Sequence, residues 1–138
     1  MNDTESLVRA YYAAFNAGDR AAFLALLSED VVHEISQGGH ETGRDAFARF
    51  MAHMDRCYRE RITDIVVMTD STGTRAAAEF TVHGSYIATD PGVPAGTPPA
   101  AGQTYTLSAG AFFTLRDERV ARIANHYNLG EWVRLIGG

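Results

Sequence analysis

Ala121-Arg122-Ile123-Ala124-Asn125-His126-Tyr127-Asn128, followed by Gly130-Glu131-Trp132, is the stretch on which the reading of this chain turns. Side chains of a strand alternate between its two faces. One face reads Ala121, Ile123, Asn125, Tyr127 and the other Arg122, Ala124, His126, Asn128. Arg122 marks the second face as wet, so the first is expected to face the interior. Asn125 and Tyr127 then need hydrogen-bond partners, because unpaired buried polar groups are costly. Either the protein satisfies them or a ligand does.

Working back from this strand, the period of two persists. Ile62–Met68, Arg75–Ala88, Tyr105–Leu115 and Val120–Asn128 read as strands. Turns at Asp70-Ser71-Thr72-Gly73 and Arg116-Asp117-Glu118-Arg119 are short enough for antiparallel hairpins. All four prolines (91, 94, 98, 99) fall in Asp90–Gly102, a long connection inside one hairpin.

Before Tyr58 the period is helical. Leu7, Tyr11 and Phe15, with Val8 and Tyr12, form one apolar stripe, capped by Asp3 or Thr4 and ended by a left-handed Gly18. Asp19 caps a second helix containing Phe23, Leu26 and Leu27. Val31–Ile35 reads as a short strand, followed by a Gly38-Gly39 loop. Thr42-Gly43-Arg44-Asp45 has capping-box spacing and opens a third helix through Phe47, Phe50, Met51 and Met54. Three helices followed by an antiparallel sheet give an α+β class in a single domain, residues 1–138.

Composition narrows the function. The 138 residues are 46% hydrophobic and 21% charged, which suits a globular domain. A net charge of −5, no lysine and scattered arginines argue against nucleic acid. No apolar run is long enough for a membrane span, and the polar opening reads as no signal peptide. The single cysteine, Cys57, excludes an internal disulfide and suits a cytoplasmic setting, where a buried thiol is expected. His53 and Cys57 have a spacing that can bind metal, but no further ligand pair supports them, so neither metal nor cofactor is expected. No nucleophile elbow or phosphate-binding glycine loop is present.

Tyr11…Asn16-Ala17-Gly18-Asp19…Leu26-Leu27…Asp30-Val31-Val32 resembles the opening of ketosteroid isomerase and the wider NTF2-like (SnoaL-like) superfamily. The likeness continues through Met54–Glu60, Gly73–Phe80, Gly102–Tyr105, Ala109–Phe113 and Asn125–Leu129, and is nearest to the bacterial ketosteroid isomerase-related proteins. It implies a cone-shaped barrel, its curved antiparallel sheet wrapped over three N-terminal helices around one apolar pocket, and a homodimer, expected to form through the outer sheet face. In the isomerase, a worked case of carboxylate tuning, an aspartate base works with a tyrosine and a protonated aspartic acid. By resemblance the tyrosine falls on Tyr11, while the acids fall on Ile35 and Ala111. The standard steroid mechanism is therefore not expected.

Alternation places His33 inward with Val31 and Ile35, as the best-placed neutral base. The alternative is a core histidine bonded to Tyr11 or to a backbone carbonyl. Tyr11 could donate to a ligand oxygen or meet Asn125 or Tyr127 inside the core. Asn125 and Tyr127 are read as pocket lining, with Met51, Phe80 and Phe113 as wall and Trp132 closing the wide end. Ordinary terminal packing explains Trp132 equally well. Three functions follow: a cofactor-independent isomerase, cyclase or hydratase/dehydratase acting on a small apolar oxygen-bearing molecule, a non-catalytic domain that binds one, or a protein-interaction module using the outer sheet face around His83 and His126.

Overall fold

The computed structural model describes residues 2–137. Helices α1 (Asp3–Ala17) and α2 (Arg20–Ala25) lead into strand β1 (Leu27–Ile35). A 3-10 turn (Ser36–Gly38) and the short strand β2 (Gly39–Thr42) precede α3 (Arg44–Cys57). Four long strands follow: β3 (Tyr58–Thr69), β4 (Arg75–Tyr86), β5 (Gln103–Arg116) and β6 (Arg119–Tyr127). Helix α4 (Leu129–Ile136) closes the chain. The strands form one curved, unclosed sheet in the order β2-β1-β6-β5-β4-β3.

Several local expectations change. Asn2, rather than Asp3 or Thr4, caps α1 by accepting from the Glu5 N–H at 2.7 Å. Leu27 begins β1 instead of ending α2, because pairing with Val120 on β6 draws it into the sheet. That pair is parallel, so the sheet is mixed rather than purely antiparallel. The Gly38-Gly39 loop contains a strand, β2, whose backbone pairs with Val32–Ile35. No capping box opens α3: its cap is Gly43, at φ 104°, without a side-chain bond. A fourth helix was not anticipated. Asn128 leaves the strand to cap it, accepting from the Glu131 N–H at 3.0 Å.

The Asn16–Asp19 turn has a physical role for each polar or special residue. Gly18 takes the left-handed conformation (φ 70°) that ends α1, and Asp19 caps α2 by accepting from Ala22 N–H at 3.0 Å. Asn16 reaches across to the edge strand β3. Its amide donates to Ile62 O and its carbonyl accepts from Ile62 N, both at 2.8 Å. This satisfies an exposed sheet edge just before the irregularity between Thr63 and Val66, where Asp64 takes φ 57°. Arg20 forks onto Asp55 of α3 at 2.8 and 2.5 Å, fastening α2 to the same side. Asn16→Ala should cost about 2 kcal/mol, as two hydrogen bonds are lost at once. Urea melts check this, and a loss under about 0.5 kcal/mol would discount the tether.

The core lies between the helices and the inner sheet face. Val8, Phe23, Phe47, Phe113, Leu27, Ile123 and Ile136 are essentially inaccessible, and Cys57 is a buried free thiol as expected. On the opposite face Val66, Met68 and Phe112 are about half exposed. Among the described residues, no helix is long and apolar enough to cross a membrane.

Candidate functional site

Cross-strand rows set the inner face. Ala78 pairs with Ala111 and Ala111 with Asn125; Phe80 pairs with Ala109 and Ala109 with Tyr127. Small side chains beside Asn125 and Tyr127 leave both partly accessible on a face that is otherwise apolar.

His33 is 2% exposed and sits at one end of this band. Its ring stacks on Phe47, 4.0 Å centroid to centroid, and meets Phe50 edge-on at 4.7 Å. Nδ1 lies 3.1 Å from Glu41 Oε1, and Nε2 lies 3.3 Å from the Asn125 amide nitrogen. Among the described residues these are its partners, in place of the expected Tyr11 or backbone carbonyl. With Nδ1–H donated to Glu41, Nε2 accepts from Asn125, and the amide keeps its carbonyl oxygen for another donor. Burial holds the imidazole below its ordinary pKa, opposed by Glu41. The strand β2 that delivers Glu41 was invisible in the sequence, so this pairing was too.

Tyr11 lies inside the core, edge-on to Phe113 at 5.5 Å and against Phe23 at 4.6 Å. Tyr12 packs on Phe80, and its buried hydroxyl has no hydrogen-bond partner among the described residues. Burial raises the pKa of both phenols, so each remains a neutral hydrogen-bond donor. Met51, Phe80 and Phe113 are buried in the hydrophobic core. Trp132 sits on α4 and packs against Tyr58 at 5.9 Å and Tyr105 at 6.0 Å.

Sequence reading missed Glu60. It follows Tyr58 by two residues on β3, with Ile62 two further on, and so shares their inward face. It lies deep in the protein yet keeps some solvent access. Glu60 pairs with Gly84, and Gly84 with Tyr105. The Tyr105 ring lies over Gly84, occupying the place of a Cβ, and its hydroxyl donates to Glu60 Oε2 at 2.5 Å. Burial raises the Glu60 pKa, with the Tyr105 bond pulling the other way. Tyr127 is raised by burial and then by the charge of Glu60, placing it in the same electrostatic neighbourhood. The signal was present in the alternation Tyr58, Glu60, Ile62, but charged Arg59 and Arg61 on either side disguised it.

The outer face has different features. A concavity of about 570 Å³ is lined by Asp64, Glu79, Thr81, Ser108 and His126 and also reaches Phe80, Ala109 and Tyr127, and a second of about 420 Å³ is lined by Arg59, Arg61, His83 and Thr106 and also reaches Glu60 and Tyr105. His83 Nε2 meets Thr63 Oγ1 at 2.8 Å, and His126 packs edge-on to Phe112 at 5.5 Å. Glu34 is ion-paired with Arg122.

The SnoaL-like domain model matches residues 8–123. The chain is similar to a candidate polyketide cyclase from Pseudomonas putida KT2440, with 60% identity over 99% of this chain and 98% of that one and a TM-score of 0.92. A candidate polyketide cyclase from Silicibacter sp. TM1040 is 44% identical, covering 98% and 96% of the two chains, with a TM-score of 0.92. An NTF2-like protein of unknown function from Burkholderia pseudomallei K96243 is 20% identical over the full length of both chains, with a TM-score of 0.82, and shares the fold. No curated protein matches. The chain therefore belongs to the SnoaL-like family and has its NTF2-like cone fold.

Proposed function

We propose that this protein is a cofactor-independent acid–base enzyme that isomerises, cyclises, hydrates or dehydrates a small, mostly apolar, oxygen-bearing molecule. The observation that carries the reading is Glu60: a carboxylate on an apolar inner face, held by the Tyr105 hydroxyl at 2.5 Å and kept by burial above its ordinary pKa. Such a group can take a proton from carbon next to a carbonyl and return it elsewhere on the product. Tyr11, Tyr127 and the Asn125 N–H that is not given to His33 supply neutral donors for the oxygen that becomes negative in between, a contribution that is often the largest in such catalysis. His33, held by Glu41, positions Asn125. The polyketide cyclase descriptions of two close relatives favour a substrate with several carbonyl groups. A second copy of the chain would cover the outer sheet face, and the exposure of Val66, Met68 and Phe112 there supports that reading.

A panel of small di- and triketones, followed by loss of enol absorbance, tests the reading. Wild-type turnover should fall about 100-fold in Tyr127→Phe and in Asn125→Ala, the usual cost of one lost oxyanion donor. Unchanged turnover in both variants would remove these residues from the reaction. The second reading, a binding domain, rests on Ile35 and Ala111 standing where the related isomerase has acids. Saturable ketone binding without turnover would favour it.

A further inference from the structure

His53 and Cys57 lie four residues apart on the last turns of α3, and the fold supplies the third group that the sequence left missing. Asp90 opens the proline-rich connection between β4 and β5. Backbone bonds from Ile87 N and Ala88 N to Cys57 O, at 2.8 and 3.3 Å, pin that connection beside the helix end. Asp90 is itself firmly placed. Its N–H donates to the Tyr86 hydroxyl at 2.9 Å, Oδ2 accepts from the Tyr58 hydroxyl at 2.7 Å, and Oδ1 accepts from Gly92 N–H at 2.8 Å. The two tyrosine rings stack with centroids 5.3 Å apart. The His53 Nε2 to Asp90 Oδ1 distance is 3.0 Å, and the donor atoms of His53, Cys57 and Asp90 all lie within 4.8 Å of one another.

We propose that His53, Cys57 and Asp90 form a binding site for a borderline-soft divalent cation of the Zn²⁺ class, clipping the 87–102 connection to the end of α3. One sulfur, one imidazole nitrogen and one carboxylate oxygen are the donor types that Zn²⁺ takes, and water can fill a fourth position. Tyr58 acts from behind as the partner that orients a ligating carboxylate. His53 remains about one-third exposed, which provides an entry path, while Cys57 and Asp90 are buried. Binding replaces the hydrogen between His53 and Asp90 with the cation, moves the imidazole proton to Nδ1, and releases the thiol proton to solvent. The Arg56 guanidinium, now 3.2 Å from His53 Nδ1, must swing away, and it is exposed enough to do so.

Co²⁺ serves as the probe, added to the folded chain. Expected is a near-ultraviolet sulfur-to-cobalt charge-transfer band that saturates and is erased by Zn²⁺. Cys57→Ser should abolish that band, and Tyr58→Phe should weaken Co²⁺ binding about tenfold, as loss of a supporting partner does. Zn²⁺ should also raise the melting temperature of wild type but not of Asp90→Asn, which reports binding independently of the thiol. Absence of the band in folded wild type up to millimolar Co²⁺ overturns the proposal, leaving a hydrogen-bonded tether only. A band that survives in Cys57→Ser overturns it as well.

Discussion

Gly84→Ala is expected to destabilise the protein by about 3 kcal/mol, at the upper end of what overpacking costs. The change is small and Gly84 has no unusual backbone, so helix or strand propensity would forecast a fraction of that. Sterics decide it. A Cβ at position 84 would meet Cζ, Cε2 and the hydroxyl oxygen of Tyr105, all well under 3.0 Å. The ring is rigid, 3% exposed, packed on Trp132 and tied by its hydroxyl to Glu60, so it cannot move aside without losing those contacts. Leaving would also strip the carboxylate of its donor, and an unsatisfied charged group is costlier than a neutral one. Denaturant melts of a double-mutant cycle check the cause. In a Tyr105→Ala background, itself much weakened, adding Gly84→Ala should cost under about 1 kcal/mol, giving a coupling near 2 kcal/mol. Equal costs in both backgrounds would mean that the ring is not what excludes the methyl group.

This glycine shows where the sequence stops being readable. Alternation located the four long strands and placed Asn125, Tyr127, Phe80 and Phe113 on the inner face, because a period of two survives in isolation. The Asn16–Asp19 turn was legible as a helix stop and start, since capping is local. Its grip on Ile62 was not, because the partner lies 46 residues away. Strand β2 was lost among Gly39 and polar neighbours, and with it the Glu41 that fixes His33. Helix α4 is not legible in the sequence, where Trp132 reads equally as a cap on the wide end or as terminal packing, because eight residues with a glycine carry little period. Gly84, Glu60 and Tyr105 look unremarkable one at a time. They become a unit only when the register of β3, β4 and β5 sets them in one row.

Glu60→Gln should do two opposite things: lower any turnover found in the ketone panel by about 100-fold or more, the usual range for a lost general base, and stabilise the fold at neutral pH. Gln is nearly isosteric, and its carbonyl can still accept from the Tyr105 hydroxyl, so the packing over Gly84 is kept. What disappears is a charge that burial disfavours. The folded carboxyl holds its proton to higher pH than the unfolded one does. Between the unfolded value, about 4.3, and the raised folded value, the folded chain therefore binds more protons than the unfolded chain. Stability then declines as pH rises through that window. Below it, Glu60 is protonated in both states and the variant should melt with wild type. As pH rises, the melting curves should separate in favour of Glu60→Gln, and the gap should level off above the folded pKa. Thermal melts from pH 4 to 8 follow the stability, and initial rates follow the chemistry. A variant that loses stability along with activity would point to a carboxylate needed for structure. Gain of stability with loss of turnover is the pattern of a group kept in an unfavourable place for its proton.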